Sequence, residues 1–356
     1  MKQSEIISLL LREDAYNHKV RKIRVEETHV SWVILTGMYV YKIKKELKFG
    51  KVLDFSKLQL RKKACQKEVL LNKILCSDMY KGVVKIVHSR DNNKHSSNNK
   101  DVRLQFVDQS HKGKTLEYAV KMKGIPQKFR MDNLVAANKV SLKTIEKLAH
   151  VLVKFHRATP TNTSIKRFGQ PRFVKAKVLE NFETLRKLYN DNRYGDNSVI
   201  DIDKLEKELI SFIENNRQLL HQRIAENKIR DIHGDLYMKN IFIVPRNNKF
   251  YLYDRLEFND SLRYADVAED VAHICMDLDY QKMSHLRRHF LSCYMEEAKD
   301  FQLNLLVYFL MCYKACMRAK VCIFKGVNET NRKEKVMCLS ESNSHLKLAK
   351  SYLEFL

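Results

Sequence analysis

The hydrophobic pattern changes part of the way along the chain, and this change limits the folds open to it. The first part holds short alternating runs rich in β-branched and aromatic residues, such as VSWVIL at 30–35 and MYVYKIK at 38–44, as in β-strands. Beyond a turn signal of Gly and Pro, most runs have helical spacing and only 241–254 is strand-like. We therefore predict an α+β fold of two lobes, β-rich at 1–122 and mainly helical at 123–356.

Bulk properties favour a cytoplasmic globular protein. The chain has 356 residues, of which 44% are hydrophobic, so it can form a sizeable core. Its longest apolar stretch, 303–313, is well short of the roughly 20 residues that span a bilayer, and we expect no membrane partner. The N-terminus does not have the pattern of a signal peptide. The eight cysteines contain no C-x-x-C pair, and we expect them to be reduced.

The net charge of +24 would suit an anionic partner such as nucleic acid or a phosphorylated ligand. However, the Lys excess is spread along the chain, and no zinc-finger spacing or RNA-module signature accompanies it. Nucleic acid therefore stays an alternative partner. A polar loop at 88–101, HSRDNNKHSSNNKD, is expected to be flexible.

The stretch DIHGDLYMKNIFIV at 231–244 places three polar side chains before a short apolar strand. Strands at 241–244 and 250–253 would form a hairpin centred near Asn247. Asn240 and Asp254 each lie seven residues from that centre, so antiparallel pairing brings them to the same end of the hairpin. Asp235 lies on the loop that leads in.

These side chains suit phosphoryl transfer. Mg²⁺ prefers carboxylate and amide oxygens together with substrate phosphates, which fits Asn240 and Asp254. Asp235 is then available as the catalytic base. The order Asp, four residues, Asn, and a metal-binding Asp after a hairpin is that of protein kinases, with His233-Gly234-Asp235 in place of H-R-D.

Such a site needs a strand Lys that contacts the nucleotide phosphates and pairs with a helix Glu. Lys42 in YVYK fits, and Lys44 on the same face of the strand is the alternative. Glu68 is the single acidic residue between Asp54 and Asp78, within a predicted helix at 57–76. No GxGxxG precedes Lys42, so the hairpin at 31–37 would cover the phosphates instead.

HGDLYMKN and YLYD resemble the aminoglycoside phosphotransferase superfamily, small-molecule kinases with a protein-kinase-like fold. Further blocks, including DFSKLQLRKKACQKEVLLN, EYAVKMKGIP, DRLEFNDSLRYADVAEDVAHICMDLD and YKACMRAKV, are similar to a poorly characterised prokaryotic subgroup. Its members are often fused to a C-terminal P-loop kinase domain, whereas this sequence contains no GxxxxGK[ST]. Tyr237 also departs from the subgroup, which usually has His after HGDL.

The resemblance implies an ATP- and Mg²⁺-dependent phosphotransferase that acts on a hydroxyl of a small molecule. The implied roles are catalysis by Asp235 within the His233 motif, metal binding by Asn240 and Asp254, ATP phosphate binding by Lys42 with Glu68, and an adenine-binding hinge at 118–123 that includes Val120 and Met122. The Lys excess favours an anionic acceptor. The alternatives are a non-catalytic nucleotide-binding regulator and a basic nucleic-acid-binding protein.

Several residues in the matched blocks have two interpretations. Glu257 could approach the metal or lie on a surface turn, and Arg318 and Lys320 could line the acceptor site or a solvated or ion-paired helix face. Asp266 is expected to cap a helix that begins near residue 267 and to brace the catalytic loop. His156 is expected to be a packed helix residue.

Overall fold

The computed structural model describes residues 1–20, 22–49, 53–89, 102–191, 201–245, 249–327 and 329–356. Most of the expected flexible loop and the hairpin centre near Asn247 lie outside these residues. Contacts divide the chain into two compact units, the first formed by Met1–Arg130 with Phe242–Asn259 and the second by Met131–Ile241 with Asp260–Leu356. The first unit therefore includes Phe242–Asn259, a segment that lies far beyond the predicted lobe boundary after residue 122.

The strands, in chain order, are β1 (Arg24–Glu27), β2 (Ser31–Leu35), β3 (Tyr39–Lys44), β4 (Lys48–Phe49), β5 (Leu53–Asp54), β6 (Tyr80–His88), β7 (Leu104–Val107), β8 (Thr115–Lys123), β9 (Ile229–Asp231), β10 (Ile241–Val244), β11 (Lys249–Leu252) and β12 (Tyr264–Asp266). The helices are α1 (Gln3–Leu9), α2 (Leu58–Cys76), α3 (Met131–Ala136), α4 (Leu142–Ala158), α5 (Thr163–Lys166), α6 (Pro171–Asp191), α7 (Ile202–Asn215), α8 (Arg217–Ala225), α9 (Ala268–Tyr280), α10 (Ser284–Ala298), α11 (Leu303–Val327) and α12 (Arg332–Tyr352).

An antiparallel sheet forms the centre of the first unit. Within the described residues it has six strands in the order β1-β2-β3-β8-β6-β7, while β10 pairs with β11 and β4 with β5 as separate ribbons. This sheet and the mainly helical second unit confirm the predicted α+β class. The hairpin of β10 and β11 agrees with its prediction to within one residue at each strand.

The two faces of the sheet bury different sets of side chains. Tyr41 and Ile43 of β3 are fully buried in a cluster that α1 covers with Ile6 and Leu10. Because side chains alternate along a strand, Lys42 and Lys44 point to the opposite face of the sheet. Helix α2 covers that face, and its Cys65 and Val69 pack with Tyr80 and Val120. Strand alternation therefore directs two lysines towards a helix that carries one carboxylate.

Two features of the strand prediction were wrong. β1 was missed because its sequence RVEE offers one apolar residue, and it forms by pairing with β2, with Arg24 opposite Leu35. The statement that only 241–254 is strand-like in the C-terminal part also fails, because β9 and β12 pair there. Each has three residues, too few for an alternation to be recognised.

The second unit is built around α9, most of whose side chains are buried. This helix packs against α10 and α11, and α11 packs in turn against α6 and α12. The loop between β9 and β10 carries the HGD motif and lies along α9, since backbone amides of the loop donate to α9 carboxylates. In the described residues no helix combines the length and apolarity needed to cross a membrane.

Candidate active site

Lys42 lies in a buried ion-pair network of the first unit. Its Nζ lies 3.1 Å from Oε1 of Glu68 and also contacts the Asp254 carboxylate. Lys44 Nζ lies 2.5 Å from the other Glu68 oxygen and 2.5 Å from Oε1 of Glu257. The sequence left Lys42 and Lys44 as alternatives for the phosphate ligand. The structure brings both to Glu68, but Lys42 is the one that contacts Asp254.

The charges in this network favour two ammonium groups. Burial lowers the pKa of Lys42, but Asp254, Glu68 and Glu257 more than offset that effect and raise the pKa well above its ordinary value. The pKa of Lys44 is likewise raised, because Glu257 and Glu68 outweigh its burial. Both lysines are therefore cationic at neutral pH, and Lys42 can supply positive charge to a phosphate.

Glu257 is a buried carboxylate, only 4% exposed, so its interpretation as a surface turn residue was wrong. Burial raises its pKa despite the nearby ammonium of Lys44. Its ion pair with Lys44 places it beside the Lys42 network, and its predicted approach to a metal stays a prediction.

Asp254 lies just beyond β11 in a left-handed conformation, with φ of 64°. Asp and Asn tolerate this region better than other non-glycine residues. Its side chain is 38% exposed, and its backbone N–H donates to the Tyr80 hydroxyl at 3.2 Å. Asn72 holds the next residue, since its Oδ1 accepts the Arg255 N–H at 2.9 Å. Sequence reasoning missed Asn72, although it lies one helical turn beyond Glu68.

Val120 and Met122 are 0% and 4% exposed on β8, which pairs with β3 on one side and β6 on the other. Strand pairing occupies backbone groups on both edges, so these residues offer apolar surface more readily than backbone hydrogen bonds. Their contact with adenine stays a prediction.

The turn at 28–30 joins β1 to β2 at the Lys44 end of β3, where Lys45 N–H donates to the Val30 carbonyl at 2.9 Å. Gly37 lies in the turn at the opposite end of β3. A side chain at Gly124 would meet the Gly37 carbonyl oxygen at 2.2 Å, so that turn is closely packed. The turn at 28–30 is thus the one at the Lys44 end of β3, and the covering of phosphates expected of the 31–37 hairpin stays a prediction.

In the second unit, Asp235 and Asn240 lie together on the loop before β10. The Asn240 amide donates to the Asp235 carbonyl at 2.9 Å and lies 3.4 Å from its carboxylate. Because the Nδ2 group is used in this way, the Oδ1 atom of Asn240 remains as the oxygen that a cation would bind. Gly234 between His233 and Asp235 has φ of +88°, a turn conformation that glycine adopts without strain.

Asp270 of α9 holds this loop in place. Its carboxylate, 1% exposed, accepts the backbone N–H groups of His233 at 2.8 Å and Gly234 at 3.0 Å. Burial raises the pKa of Asp270, but the hydrogen bonds and charges of His156, 3.1 Å away, and of His233 together lower it by more. Two helical turns on, Asp277 accepts the Met238 N–H at 2.8 Å. Two carboxylates of one helix thus hold the loop at both ends.

The expected role of Asp266 was wrong in part. It accepts the Ala268 N–H at 2.9 Å at the start of α9, but its carboxylate pairs with Arg223, and the HGD loop is braced by Asp270 instead. His156 is buried as expected, and its ring is also hydrogen-bonded to Tyr294 at 2.7 Å. Sequence reasoning missed Asp270, although DVAEDVAHICMD places it one turn from Asp266.

Beside Asp235 lies a group of aromatic and basic side chains. The His273 ring stacks on Tyr237 with centroids 5.4 Å apart, and its Nδ1 is 4.0 Å from the Asp235 carboxylate. The guanidinium of Arg318 lies over the Tyr237 ring, 4.5 Å from its centroid. Lys320 instead experiences the charge of Glu180. Of Arg318 and Lys320, Arg318 is therefore the one that lies near the HGD loop.

No protein family model matches the chain. An uncharacterised protein of Mycobacterium tuberculosis is 30% identical over 299 residues, which are 84% of this chain and 54% of that protein. The chain thus spans about half the length of the curated relatives it matches.

Among solved structures, an ethanolamine kinase of Plasmodium vivax superposes with a TM-score of 0.53 at 12% identity, covering 92% of this chain and 82% of that one. The ADP-bound aminoglycoside phosphotransferase APH(2'')-Ib superposes with a TM-score of 0.45 at 14% identity, covering 97% and 99%.

Proposed function

We propose that the chain, whose fold is similar to that of an ethanolamine kinase, transfers the γ-phosphoryl group of ATP to a hydroxyl of a small molecule. The observation that carries this proposal is the position of Lys42, a buried ammonium held by Glu68 of α2 and in contact with Asp254. A phosphate-binding Lys fixed by a helix Glu is a recurring part of kinase sites.

Asp235 is the proposed base. The acceptor hydroxyl gives its proton to this carboxylate while its oxygen forms a bond to the γ-phosphorus. The bond from that phosphorus to the bridging oxygen breaks, and ADP leaves with the electron pair. General-base assistance of this kind contributes about 10²- to 10⁴-fold to the rate. Asp270 keeps the backbone of the loop in position, so that Asp235 can act without reorganisation.

The residues present fit Mg²⁺ as the metal cofactor. Asn240 in the second unit and Asp254 in the first each offer an oxygen of the hard type that Mg²⁺ prefers. The Asp254 carboxylate is partly exposed beside Lys42, and the Asn240 amide donates through Nδ2, which leaves Oδ1 as its ligand atom. When bound, the metal would neutralise charge on the transferring phosphoryl group.

The test is transfer of label from γ-labelled ATP into a small-molecule metabolite extract with Mg²⁺. The native protein should form a labelled product, and Asp235→Asn should form none while still binding ATP. Asp203→Asn is the matched control, because this carboxylate of α7 is 79% exposed and should not affect transfer. Full transfer by Asp235→Asn would exclude the assigned base, and ATP binding without transfer by the native protein would favour the regulator.

A further inference from the structure

Arg318 has no ion-pair partner among the residues that the structure describes. It is half-buried on α11, with its guanidinium against the Tyr237 ring. In the described ranges, Arg318 makes neither a hydrogen bond nor an ion pair, although Asp235 and Asp277 are close enough for their charges to act on it. A guanidinium has five N–H donors in a planar fork, and that fork matches the oxygens of a carboxylate or phosphate.

His273 is the second polar group beside Asp235. Its side chain is fully buried, and neither ring nitrogen has a hydrogen-bond partner within the described residues. The 4.0 Å from Nδ1 to the Asp235 carboxylate is too long for a hydrogen bond. Burial, with the charges of Lys314 and Arg318, lowers the pKa of His273 well below its usual value, so the ring is neutral. A neutral imidazole can donate from one nitrogen and accept at the other.

The basic groups of this region are not equivalent. Lys314, one turn before Arg318 on α11, is neutralised by Glu269, whose Oε2 lies 2.8 Å from its Nζ. Arg318 has no such ion-pair partner among the described residues, although the charges of Asp235 and Asp277 act on it, so its N–H groups stay available beside the HGD loop. An oxyanion would form charge-assisted hydrogen bonds with them.

We infer that Arg318 and Tyr237, together with His273, form an oxyanion-binding subsite that selects an acceptor carrying a carboxylate or phosphate next to its reactive hydroxyl. This inference rests on the proposed function, because it assigns the acceptor of that same site. Arg318 binds the anionic group and the Tyr237 ring supports the guanidinium. His273 contacts the polar part of the acceptor near Asp235. The phosphoryl group is transferred to the hydroxyl, and the anionic group does not react.

The first test divides the metabolite extract on an anion-exchange resin and assays both fractions with γ-labelled ATP. The labelled product should arise from the retained, anionic fraction. Arg318→Met should raise the apparent KM for that fraction roughly ten- to hundredfold, as expected for loss of charge-assisted hydrogen bonds. The kcat and the KM for ATP should change little, because binding remote from the reacting atoms is lost.

Lys320→Met, on the same helix, is the matched control and should behave like the native protein. Arg318→Lys keeps the charge without the fork and should fall between the native protein and Arg318→Met. Product from the unretained fraction alone, or an unchanged KM in Arg318→Met, would overturn the inference.

A second test needs no turnover, so it separates failure of this subsite from failure of the proposed function. Arg318 is modified with phenylglyoxal, and the extent is read by mass spectrometry of the peptide that contains residue 318. Acetate or phosphate should protect Arg318 saturably, whereas chloride at equal ionic strength should not. Protection by acetate alone identifies a carboxylate, and protection by phosphate alone identifies a phosphate. Modification at the same rate in all three salts would refute the subsite even in an active enzyme.

Discussion

His345 should make the stability of the protein depend on pH below neutrality. This α12 residue is 5% exposed, and its ring stacks on Tyr280 with centroids 4.1 Å apart. Its Nδ1 has no hydrogen-bond partner among the described residues. Burial, followed by the positive charges of Arg318 and Lys239, lowers the pKa of His345 from 6.5 to about 3. The folded protein therefore keeps this ring neutral in mildly acidic solution.

The direction and size of this pH dependence follow from the linkage between proton binding and folding. Because the pKa is lower in the folded state, the stabilising contribution is complete above pH 6.5 and is lost as the pH falls towards 3. The unfolded chain takes up the proton first. At pH 5 the difference between the two pKa values corresponds to a loss of about 2 kcal/mol relative to pH 8.

The assay is urea unfolding of the native protein and His345→Phe, followed by far-UV circular dichroism at pH 8, 7, 6 and 5. Phe keeps a ring that can stack on Tyr280 but cannot be protonated. The native protein should lose about 2 kcal/mol more than the variant between pH 8 and pH 5. His285→Gln, which removes an exposed histidine, should keep the native pH dependence. Parallel curves for the native protein and His345→Phe would refute the reasoning.

Four further substitutions separate catalytic from structural roles. Lys42→Met should lower kcat/KM for ATP about 10²-fold or more in steady-state assays. Lys44→Met should instead lower the unfolding free energy in urea by about 3–5 kcal/mol, because it leaves Glu257 buried without its cation. Asp270→Asn should reduce kcat while leaving ATP affinity unchanged by calorimetry, since its carboxylate fixes the HGD loop. Asn72→Ala should cost about 1–3 kcal/mol in urea unfolding, because a buried backbone N–H loses its acceptor.

The sequence predicted the parts of the site that depend on local periodicity. Alternation along β3 places Lys42 and Lys44 on one face, and the single carboxylate of a basic helix identifies Glu68, with which both lysines pair. The hairpin of β10 and β11 follows from two short apolar runs around a turn. In each case the spacing along one element fixes the geometry, so a sequence is sufficient.

The supporting groups could not be predicted in the same way. Asp270 and Asn72 act on backbone amides far along the chain, and such hydrogen bonds leave no mark on the residues that donate them. Glu257 was ambiguous because its burial depends on Lys44, more than two hundred residues earlier. β1 has almost no apolar pattern and is defined by its partner strand. These features depend on tertiary contacts rather than on local sequence.

Buried histidines offer a direct test of which polar groups serve the fold and which serve a ligand. Both ring nitrogens of His156 are hydrogen-bonded, to Asp270 and Tyr294, whereas neither nitrogen of His273 has a partner within the described residues. An unsatisfied buried polar group costs about 1–3 kcal/mol, so a protein retains one only for another reason.

His156→Phe should therefore lower the unfolding free energy, because it removes the side-chain hydrogen bond to the buried Asp270 carboxylate. His273→Phe should leave the unfolding free energy unchanged or raise it by up to about 1–3 kcal/mol while impairing phosphoryl transfer. Urea unfolding and the labelled-ATP assay on both variants measure the two quantities side by side. Strong destabilisation by His273→Phe would show that His273 serves the fold, and unimpaired transfer would remove it from the acceptor site.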